Sequence, residues 1–449
     1  MVEPGTSTAS PGVRRPRWRS PFAAPVAALL VTAVLSAPAL ALTLPPDPAA
    51  GASRSAPPAP AAKKSPKKKK KKVIPRFVFT FAGRGYGHGV GMSQYGAYGA
   101  ALAGWSADRI IGYYYRGTTI ATLPVTPVRV LLATSVAAPM LSANGEWGVT
   151  VESSPLQVVR PLPPNVELRV APLGVDGVVV QDPTGAELLR ATGPVRFAPA
   201  TPGATLRFRG VQYRGALRVL RDPGGFGVVN HIDLEQYLPG VVPREMPAPW
   251  GDTAPAALEA QAIAARSYAM ATRRAGGTFD MYADERSQVY GGASAEDPRA
   301  SRAVLATAGR VATYQGRIIT TYFFSTSGGR TENVENVFRA SPQPYLVSVN
   351  DNAFDATSPH HVWRDPKTFT DAQLAKLLVT RKPVLSIKVL QRGASPRVKL
   401  LRLTTRSGAT KEMSGVEVRR ALGLRDTWFV VQRRVRTPVT VRLVTKPTP

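Results

Sequence analysis

The stretch GRGYGHGVG, residues 83–91, places a glycine at every second position. The residues between the glycines are Arg84, Tyr86, His88 and Val90. Residues 77–81, FVFTF, precede the stretch and have the aromatic and β-branched composition of a strand. Because alternate side chains of a strand point to opposite faces, a strand continued through 83–91 leaves one face as bare backbone. We expect this bare face to be the floor of a polymer-binding groove, since a ligand can approach it closely.

The glycine spacing excludes one common interpretation. A nucleotide-binding loop requires G-x-G-x-x-G, and no starting position in residues 83–91 gives that spacing. A glycine-rich stretch that only lets two elements pack closely is the alternative. The segment MSQYG, residues 92–96, follows at once and adds polar and aromatic side chains suited to sugar contact, which favours a binding site.

The chain is strongly basic, because 58 of its 449 residues are Lys or Arg and only 29 are Asp or Glu. This excess predicts an anionic partner, such as an acidic wall polymer, a membrane surface or nucleic acid. Cysteine is absent, which excludes thiol catalysis and Cys-ligated metal. The four histidines, two of them adjacent at His360 and His361, lack H-x-x-x-H spacing, so we expect no metal and no cofactor.

Residues 1–41 have the pattern of a secretory signal peptide. Four arginines precede the apolar run 22–37, and residues 39–41 form an A-x-A site with cleavage expected after Ala41. An uncleaved N-terminal anchor is the alternative, although the run is short for a membrane span. We therefore expect an exported protein of the cell wall or extracellular space, for which nucleic acid is not an expected partner.

Residues 42–75 form a linker that is rich in Pro and Ala and then in Lys, with eight lysines between Lys63 and Lys72. Such a composition buries no core and predicts an extended segment. Two interpretations stay open, namely an electrostatic tether to an anionic wall polymer or membrane surface, and a solvated spacer.

The remaining chain predicts an α+β fold, with a mixed α/β catalytic core and an inserted, mostly β subdomain. Short apolar runs separated by Pro, Gly, Asn and Asp predict the β-rich subdomain at 125–230. The core is expected in 76–124 and 231–356, and an α+β segment with a tail follows at 357–449.

Local signals predict a long helix and a hairpin in the core. Asp252 or Thr253 is expected to cap a helix with Pro255 in its first turn, where the missing N–H of proline is harmless. The pair Gln315-Gly316 predicts the turn of a β-hairpin.

The stretch PREMPAPW, residues 243–250, contains the first candidate catalytic residue, Glu245. Its neighbours Met246 and Trp250, together with three prolines, make the surroundings apolar. A carboxyl group in such surroundings has a raised pKa and is suited to be a general acid. An ordinary surface glutamate is the alternative.

The stretch FFSTSGGRTENVENVF, residues 323–338, follows a predicted strand and is rich in polar side chains. Polar loops at strand ends often hold ligands, so Ser325, Ser327 and Asn333 are candidates for substrate contact. A hydrophilic turn is the alternative.

Five stretches together resemble the SpoIID/LytB-type domain of bacterial stage II sporulation protein D and its relatives. They are GRGYGHGVGMSQYGA, YLPGVVPREMP, EAQAIAARSYAM, SQVYGG and SGGRTENVENVF. In the usual layout of that family the first stretch closes the domain at its C-terminal end, whereas here it opens the domain. The order predicts a circularly permuted chain, which can preserve a fold because domain ends often lie close together.

The resemblance implies lytic transglycosylation of peptidoglycan glycan strands and assigns the catalytic glutamate to Glu245. That one residue protonates the oxygen between N-acetylmuramic acid and N-acetylglucosamine, then deprotonates the muramyl 6-hydroxyl, which closes a 1,6-anhydro ring. Because no water attacks, the second carboxylate of ordinary glycosidases is not required.

The same interpretation nominates substrate-binding residues. The charge of an oxocarbenium-like transition state needs nearby dipoles or acceptors. Candidates for this role are Ser93, Gln94, Ser325, Ser327 and Asn333. Candidates for packing against sugar rings are Tyr86, Tyr95 and Tyr290.

Two further candidates carry alternatives. Arg266 either pairs with Glu245 or binds a lactyl or acetamido oxygen, and a structural ion pair, for instance with Glu259, is the alternative. His88 is expected to be a sugar ligand, and the alternative is a histidine that only holds its loop in place.

A second function also stays open. The LytB branch of the family suggests a non-catalytic glycan-binding protein that recruits or stimulates a cell-wall amidase. The complete motif around Glu245 favours the enzyme.

Overall fold

Strand β1, Arg76–Gly83, turns its three alternating phenylalanines to one face, where they are buried. The computed structural model describes residues 76–338 and 340–436, and it confirms the strand predicted from FVFTF. β1 pairs antiparallel with β20 (Lys367–Thr370) on one side and with β24 (Phe429–Arg436) on the other. This sheet joins the first and last strands of the described chain.

The other strands follow in chain order. They are β2 (Met92–Ser93), β3 (Thr119–Thr122), β4 (Pro127–Val136), β5 (Met140–Ala143), β6 (Trp147–Val151), β7 (Ser154–Leu162), β8 (Leu168–Leu173), β9 (Gly177–Gln181), β10 (Glu187–Thr192), β11 (Val195–Pro199), β12 (Leu206–Phe208), β13 (Val211–Tyr213), β14 (Ala216–Asp222), β15 (Gly225–Asp233), β16 (Met281–Tyr282), β17 (Arg310–Tyr314), β18 (Arg317–Ile318), β19 (Phe323–Phe324), β21 (Val384–Arg392), β22 (Val398–Thr405) and β23 (Thr410–Ser414).

The α-helices occupy the remaining core and the C-terminal segment. They are α1 (Gln94–Leu102), α2 (Ala107–Tyr114), α3 (Leu234–Tyr237), α4 (Val242–Glu245), α5 (Pro255–Thr272), α6 (Pro298–Ala306), α7 (Asp371–Leu377) and α8 (Gly415–Leu422). Short 3-10 helices lie at Leu238–Gly240, Ala248–Asp252, Ala293–Ala295, Val334–Asn336 and Asp355–Thr357.

All twelve strands between residues 127 and 233, β4 to β15, belong to two large sheets. One has the order β10-β9-β8-β5-β12-β13, and the other has the order β16-β4-β15-β14-β11-β6-β7. Neighbouring strands are antiparallel except β16, which joins β4 in parallel. Helices and mostly antiparallel sheets occupy different parts of the chain, so the fold is α+β, as predicted.

Helix α5 is buried along most of its length, and its many alanines let α1, α2 and α6 pack closely against it. Its predicted cap is wrong, because Ala254 stands at the N-cap position and makes no side-chain cap bond. Asp252 instead pairs with Arg299 at 2.8 Å, and the Thr253 hydroxyl lies 3.3 Å from a tyrosine hydroxyl. Both predicted capping groups are therefore engaged by tertiary contacts.

The hairpin between β17 and β18 turns at the predicted dipeptide. Gln315 and Gly316 both have positive φ, 50° and 74°, which is the requirement of the type I′ turn that matches strand twist. The prediction of this turn is confirmed.

Two hydrophobic clusters stabilise the described chain. The larger one combines the two large sheets, α1, α2 and α5. The second packs the phenylalanines of β1 against residues of the C-terminal segment, among them Trp363, Leu401 and Phe429.

Some expectations fall outside the described residues. These are the signal peptide at 1–41 and the lysine tract Lys63–Lys72. Among the helices of the described residues, none combines the length and the apolar character needed to cross a bilayer. The predicted domain boundaries stay predictions.

Candidate active site

Glu245 is the last residue of the short helix α4. A proline at the start of α4 fits the first turn, and Met246 then takes extended backbone, which ends the helix. The Glu245 carboxylate accepts a hydrogen bond at Oε1 from the Val289 N–H, at 3.0 Å. Its main-chain carbonyl accepts one from the Gln94 amide, at 2.8 Å. Within the described residues, no hydrogen bond reaches its second carboxylate oxygen, which leaves Oε2 available to a ligand.

The surroundings of Glu245 favour its protonated form. Burial raises the pKa of its carboxyl group above the ordinary value of 4.5, and the charge of the exposed Glu285 acts in the same direction. The bond from Val289 and the charge of Arg244 oppose this rise without cancelling it. A half-buried carboxylic acid with a raised pKa and one free oxygen has the properties of a general acid.

A cluster of aromatic side chains adjoins Gln94, whose amide donates to the main-chain carbonyl of Glu245. The Tyr95 ring meets Trp250 edge-on at 4.8 Å, and Tyr98 stacks on the same indole at 4.3 Å. All three rings are partly exposed. Their apolar faces form a surface suited to a sugar ring.

A second group of rings begins at Tyr268 on α5. Burial raises the pKa of Tyr268 to about 12, and smaller contributions from Tyr322 and Glu245 act in the same direction. The Tyr268 ring lies 5.9 Å from Tyr322, which stacks on Phe338 at 4.7 Å, and Phe338 in turn lies 5.2 Å from the imidazole of His88. We call Tyr268, Tyr322, Phe338 and His88 the aromatic row.

Sequence reasoning missed most of these rings as site residues. Trp250, Tyr268 and Phe338 stood inside the quoted motifs, and Trp250 was noted only as an apolar neighbour of Glu245. An aromatic residue within a recognised motif is a signal that could have found all three. Tyr98 and Tyr322 could be placed only by tertiary contacts.

The prediction of a strand through residues 83–91 is wrong. Gly85, Gly87, Gly89 and Gly91 have positive φ values of 80°, 130°, 89° and 76°. The stretch is held by isolated bridges rather than by a regular ladder, for example between Tyr86 and Thr326. Glycine is needed here because other residues adopt this left-handed backbone only at a cost.

The predicted bare face is also not open to a ligand. A Cβ atom at Gly91 would lie 2.0 Å from the Tyr322 carbonyl oxygen, and one at Gly89 would lie 2.4 Å from Arg397 Nε. A Cβ atom at Gly87 would lie 2.7 Å from Phe324. The protein itself fills the space above the glycines, so close packing, the alternative interpretation, is correct.

The segment after the glycines joins the site within the same chain. Strand β2 pairs in parallel with β19, and the Tyr95 N–H donates to the Ser325 carbonyl at 3.0 Å. Ser93 caps α1 through a bond from the Gly96 N–H and is fully buried, so its hydroxyl is a structural group. Of the MSQYG side chains, the structure brings Gln94 and Tyr95 to Glu245 and Trp250.

The polar side chains of the loop at 323–338 also include both structural groups and a candidate ligand. Ser327 is buried and its hydroxyl donates to Asp355 at 2.8 Å. The Asn333 side-chain N–H donates to Glu335, and its side-chain oxygen accepts a hydrogen bond from the Ser348 N–H. Both residues therefore hold the loop. The half-buried Ser325 hydroxyl lies 3.2 Å from that of a neighbouring threonine and stays a candidate for substrate contact.

His88 is held by the backbone on both sides of its ring. The Val90 N–H donates to Nδ1 at 3.1 Å, so Nε2 carries the proton and donates to the Phe323 carbonyl at 3.0 Å. Burial, aided by the charge of Arg419, lowers the pKa of His88 to about 3. The imidazole is neutral and offers no free nitrogen to a sugar, so His88 holds its loop and can meet a ligand only through its ring face.

Arg266 and Tyr290 are core residues, which corrects their assignment as substrate ligands. Arg266 is fully buried and forms a bidentate pair with Glu235 at 2.7 Å, rather than with Glu245 or Glu259. The Tyr290 hydroxyl donates to buried Asn230 at 2.9 Å, and its ring packs among other tyrosines.

Tyr86 is 44% exposed and meets His360 edge-on at 4.9 Å. The adjacent His361 is bonded to Asp355 at 2.8 Å and lies 3.2 Å from the Arg84 guanidinium. In the part of the chain that the structure describes, no cluster of three or more His, Asp or Glu side chains could hold a metal ion.

Comparison with known proteins agrees with the motifs. Residues 222–314, which contain Glu245, match the family described as Stage II sporulation protein, SpoIID. The chain is similar to Stage II sporulation protein D of Bacillus subtilis (strain 168), with 32% identity over 222 residues, or 46% of this chain and 62% of that protein. It is also similar to the amidase enhancer of the same organism, with 40% identity over 114 residues, or 25% of this chain and 15% of that protein.

A third relative is an uncharacterized protein of Brachyspira hyodysenteriae, 38% identical over 143 residues, or 31% of this chain and 38% of that protein. The chain thus spans no more than 62% of the length of these relatives. The matched region defines a SpoIID-type domain around the site. These similarities support the resemblance to SpoIID/LytB-type proteins that the motifs indicated.

Proposed function

We propose that this protein acts on the bacterial cell wall and cleaves peptidoglycan glycan strands as a lytic transglycosylase. The observation that carries the proposal is the state of Glu245, a half-buried carboxyl group with a raised pKa and one unengaged oxygen. The partly exposed rings of Tyr95, Tyr98 and Trp250 next to Gln94, together with the aromatic row, support a glycan as the ligand. The similarity to Stage II sporulation protein D supports the same setting.

In this mechanism Glu245 acts first as an acid and then as a base. Its proton passes from Oε2 to the oxygen between N-acetylmuramic acid and N-acetylglucosamine, and the glycosidic bond breaks. The resulting carboxylate takes the proton of the muramyl 6-hydroxyl, whose oxygen bonds to C1 and closes the 1,6-anhydro ring. No water is consumed, and the acid is regenerated.

The bond from the Val289 N–H fixes the orientation of the carboxyl group. It also stabilises the carboxylate that forms after the first proton transfer. The bond from Gln94 to the Glu245 carbonyl holds the end of α4 against α1. Because the reaction begins from the protonated acid, its rate should fall as the pH rises through the raised pKa of Glu245.

The test is a digest of peptide-free glycan strands with the purified full chain, read by mass spectrometry. We expect 1,6-anhydro-muramyl products, and Glu245→Gln should lower their rate by about 100-fold to 10,000-fold. Glu285→Gln is the matched control, because it removes the exposed acid that acts on Glu245. A one-acid mechanism requires that Glu285→Gln keep its activity.

Products one water heavier, made by a protein that also needs Glu285, would identify a two-carboxylate hydrolase and refute the transglycosylase. Binding without any product would favour the second candidate.

That second candidate is a glycan-binding protein that recruits or stimulates a cell-wall amidase. It is supported by the similarity to the amidase enhancer. Release of stem peptides by an added amidase, measured with and without this protein, tests it. Stimulation that is unchanged in Glu245→Gln would favour this function over catalysis.

Both candidate functions act outside the cytoplasm. The signal-peptide pattern of residues 1–41 supports export, and the tract Lys63–Lys72 is proposed to bind an anionic wall polymer or membrane surface. Cell fractionation tests export. Salt-sensitive binding to isolated walls, lost on deletion of residues 63–72, tests the tract.

A further inference from the structure

Arg419 lies in the last turn of α8, a helix with well-defined ends. Ser414 and Glu417 form a capping box at its start, and Gly423 ends it in the left-handed conformation. The Arg419 Nε–H donates to the carbonyl of Arg425 at 3.1 Å and, less closely, to that of Leu424 at 3.4 Å. The chain that follows the helix therefore fixes the direction of the guanidinium.

The same carbonyl ties Arg419 to the glycine-rich segment. The Arg425 carbonyl also accepts the Gly87 N–H at 3.0 Å, so the guanidinium lies beside the residues on either side of Gly87. These are Tyr86 and His88, and the electrostatic coupling agrees with this placement. The charge of Arg419 adds to the burial that lowers the pKa of His88, and the Tyr86 hydroxyl raises the pKa of Arg419.

Arg419 has no counter-charge among the described residues. Neither of its terminal nitrogens has a hydrogen-bond or ion-pair partner there. The acid that acts on it, Asp426, is taken by Arg397 through two bonds of 2.9 Å. Burial and the like charges of Arg397 and Arg420 lower the pKa of Arg419. A half-buried guanidinium with no counter-charge and no partner for its terminal nitrogens is energetically unfavourable, and a bound oxyanion would stabilise it.

The aromatic row connects this guanidinium with the candidate acid. The row begins at Tyr268, which lies three residues after Ala265 on α5. The Ala265 carbonyl accepts the Gln288 amide, and the next residue, Val289, donates to the Glu245 carboxylate. From Tyr268 the row continues ring by ring to His88, beside Arg419. A glycan strand that lies on these rings would extend from Glu245 towards Arg419. The substituents of its sugars would then come within reach of the guanidinium.

We propose that Arg419 is a specificity-determining residue that binds a carboxylate of the glycan strand lying on the aromatic row. On the glycan strand itself the carboxylate available is the lactyl group of a muramyl residue without a stem peptide, because an attached peptide converts that group into a neutral amide. The guanidinium fork matches a carboxylate with two parallel hydrogen bonds. This inference rests on the proposed glycan substrate, and it holds for a catalyst and for a binding protein alike.

The test measures binding rather than cleavage. The full chain with Glu245→Gln is titrated at low salt with peptide-free strands and with the same strands after their lactyl carboxylates are coupled to methylamine. Adding Arg419→Gln should weaken binding of the free-carboxylate strands by about tenfold or more and leave binding of the amidated strands nearly unchanged. Arg419→Lys, which keeps the charge and loses the fork, should fall between the two.

Arg420→Gln is the matched control. It removes the same charge from the neighbouring, exposed position of α8, and it should change both affinities by less than about twofold. Equal affinities of the Arg419→Gln and parent proteins for free strands would overturn the inference, as would equal losses for free and amidated strands. In both cases the proposed function would still be tested separately, by whether the protein with Glu245 intact forms 1,6-anhydro products.

A phosphate of a wall polymer presents similar oxyanion chemistry. Titration with poly(glycerol phosphate) separates the two sources. If Arg419→Gln weakens binding of this polymer and not of the free strands, the carboxylate assignment is wrong. If the parent protein binds no glycan strand at all, both the inference and the proposed function fail.

Discussion

The ion pair between Arg397 and Asp426 packs against the glycine-rich segment, residues 83–91, and supports its conformation. The pair is bidentate, with Nε–Oδ1 and Nη2–Oδ2 distances of 2.9 Å, and the two side chains are 2% and 0% exposed. A Cβ atom at Gly85 would lie 2.6 Å from Asp426 Oδ2, and one at Gly89 would lie 2.4 Å from Arg397 Nε. The segment therefore packs directly on the pair.

Asp426→Asn should destabilise the fold strongly. The amide keeps the shape of the carboxylate but replaces one acceptor with a donor and removes the negative charge, so the buried guanidinium of Arg397 loses its counter-charge. Breaking a buried pair in this way costs about 3–5 kcal/mol. The exposed pair of Arg402 and Glu412, each 46% exposed, is the comparison, and Glu412→Gln should cost less than about 1 kcal/mol.

The assay is urea unfolding of the full chain at pH 7, followed by far-ultraviolet circular dichroism and tryptophan fluorescence. Equal slopes for wild type and both variants would show that the midpoints compare stability alone. If Asp426→Asn and Glu412→Gln differ by less than about 1 kcal/mol in the free energy of unfolding, the pair does not support the segment as argued.

Glycine, arginine and glutamate substitutions test three other parts of the structure. Gly91 and Gly316 have similar φ values, 76° and 74°, but only a Cβ atom at Gly91 would meet a carbonyl oxygen at 2.0 Å. Gly316→Ala should cost about 1–2 kcal/mol and Gly91→Ala clearly more, and equal losses in urea would contradict the packing described. Arg266→Met removes one partner of the pair with Glu235, which is 31% exposed, and should cost about 2 kcal/mol in urea. The glycan affinity of the folded Arg266→Met protein, measured by calorimetry, should not change, and its loss would restore Arg266 as a ligand. Burial raises the pKa of Glu245 above 4.5, so the folded state binds the extra proton and wild type loses stability relative to Glu245→Gln as pH rises from about 4.5 through the raised pKa. Urea midpoints between pH 4 and 8 test this, and a difference that changes with pH in the opposite sense would show that the folded state favours the ionised carboxylate.

Features set by neighbours in sequence were predicted well. The alternating phenylalanines of β1 and the turn at Gln315 and Gly316 follow from backbone and side-chain periodicity over a few residues. Glu245 was singled out from its apolar neighbours and its motif, and the raised pKa of its carboxyl group agrees with that reasoning. Its role in catalysis stays a proposal.

Features set by distant partners were predicted poorly. Arg266 pairs with a glutamate 31 residues away, and His88 donates to a carbonyl 235 residues away. Which polar group meets which depends on how the elements pack, and a buried group takes whatever partner the packing places within reach.

The glycine stretch shows the same division most clearly. The order of residues alone shows that side chains are missing at alternate positions, that a strand leads into these positions, and that an acid with apolar neighbours lies further along the chain. Tertiary contacts place Arg397, Phe324 and Tyr322 in the space above the glycines, and they bring the rings of Tyr95, Tyr98 and Trp250 together next to Gln94, which binds the main chain of Glu245. The physical reason is that a missing Cβ permits close approach without specifying what approaches, and the packing of the whole chain makes that choice.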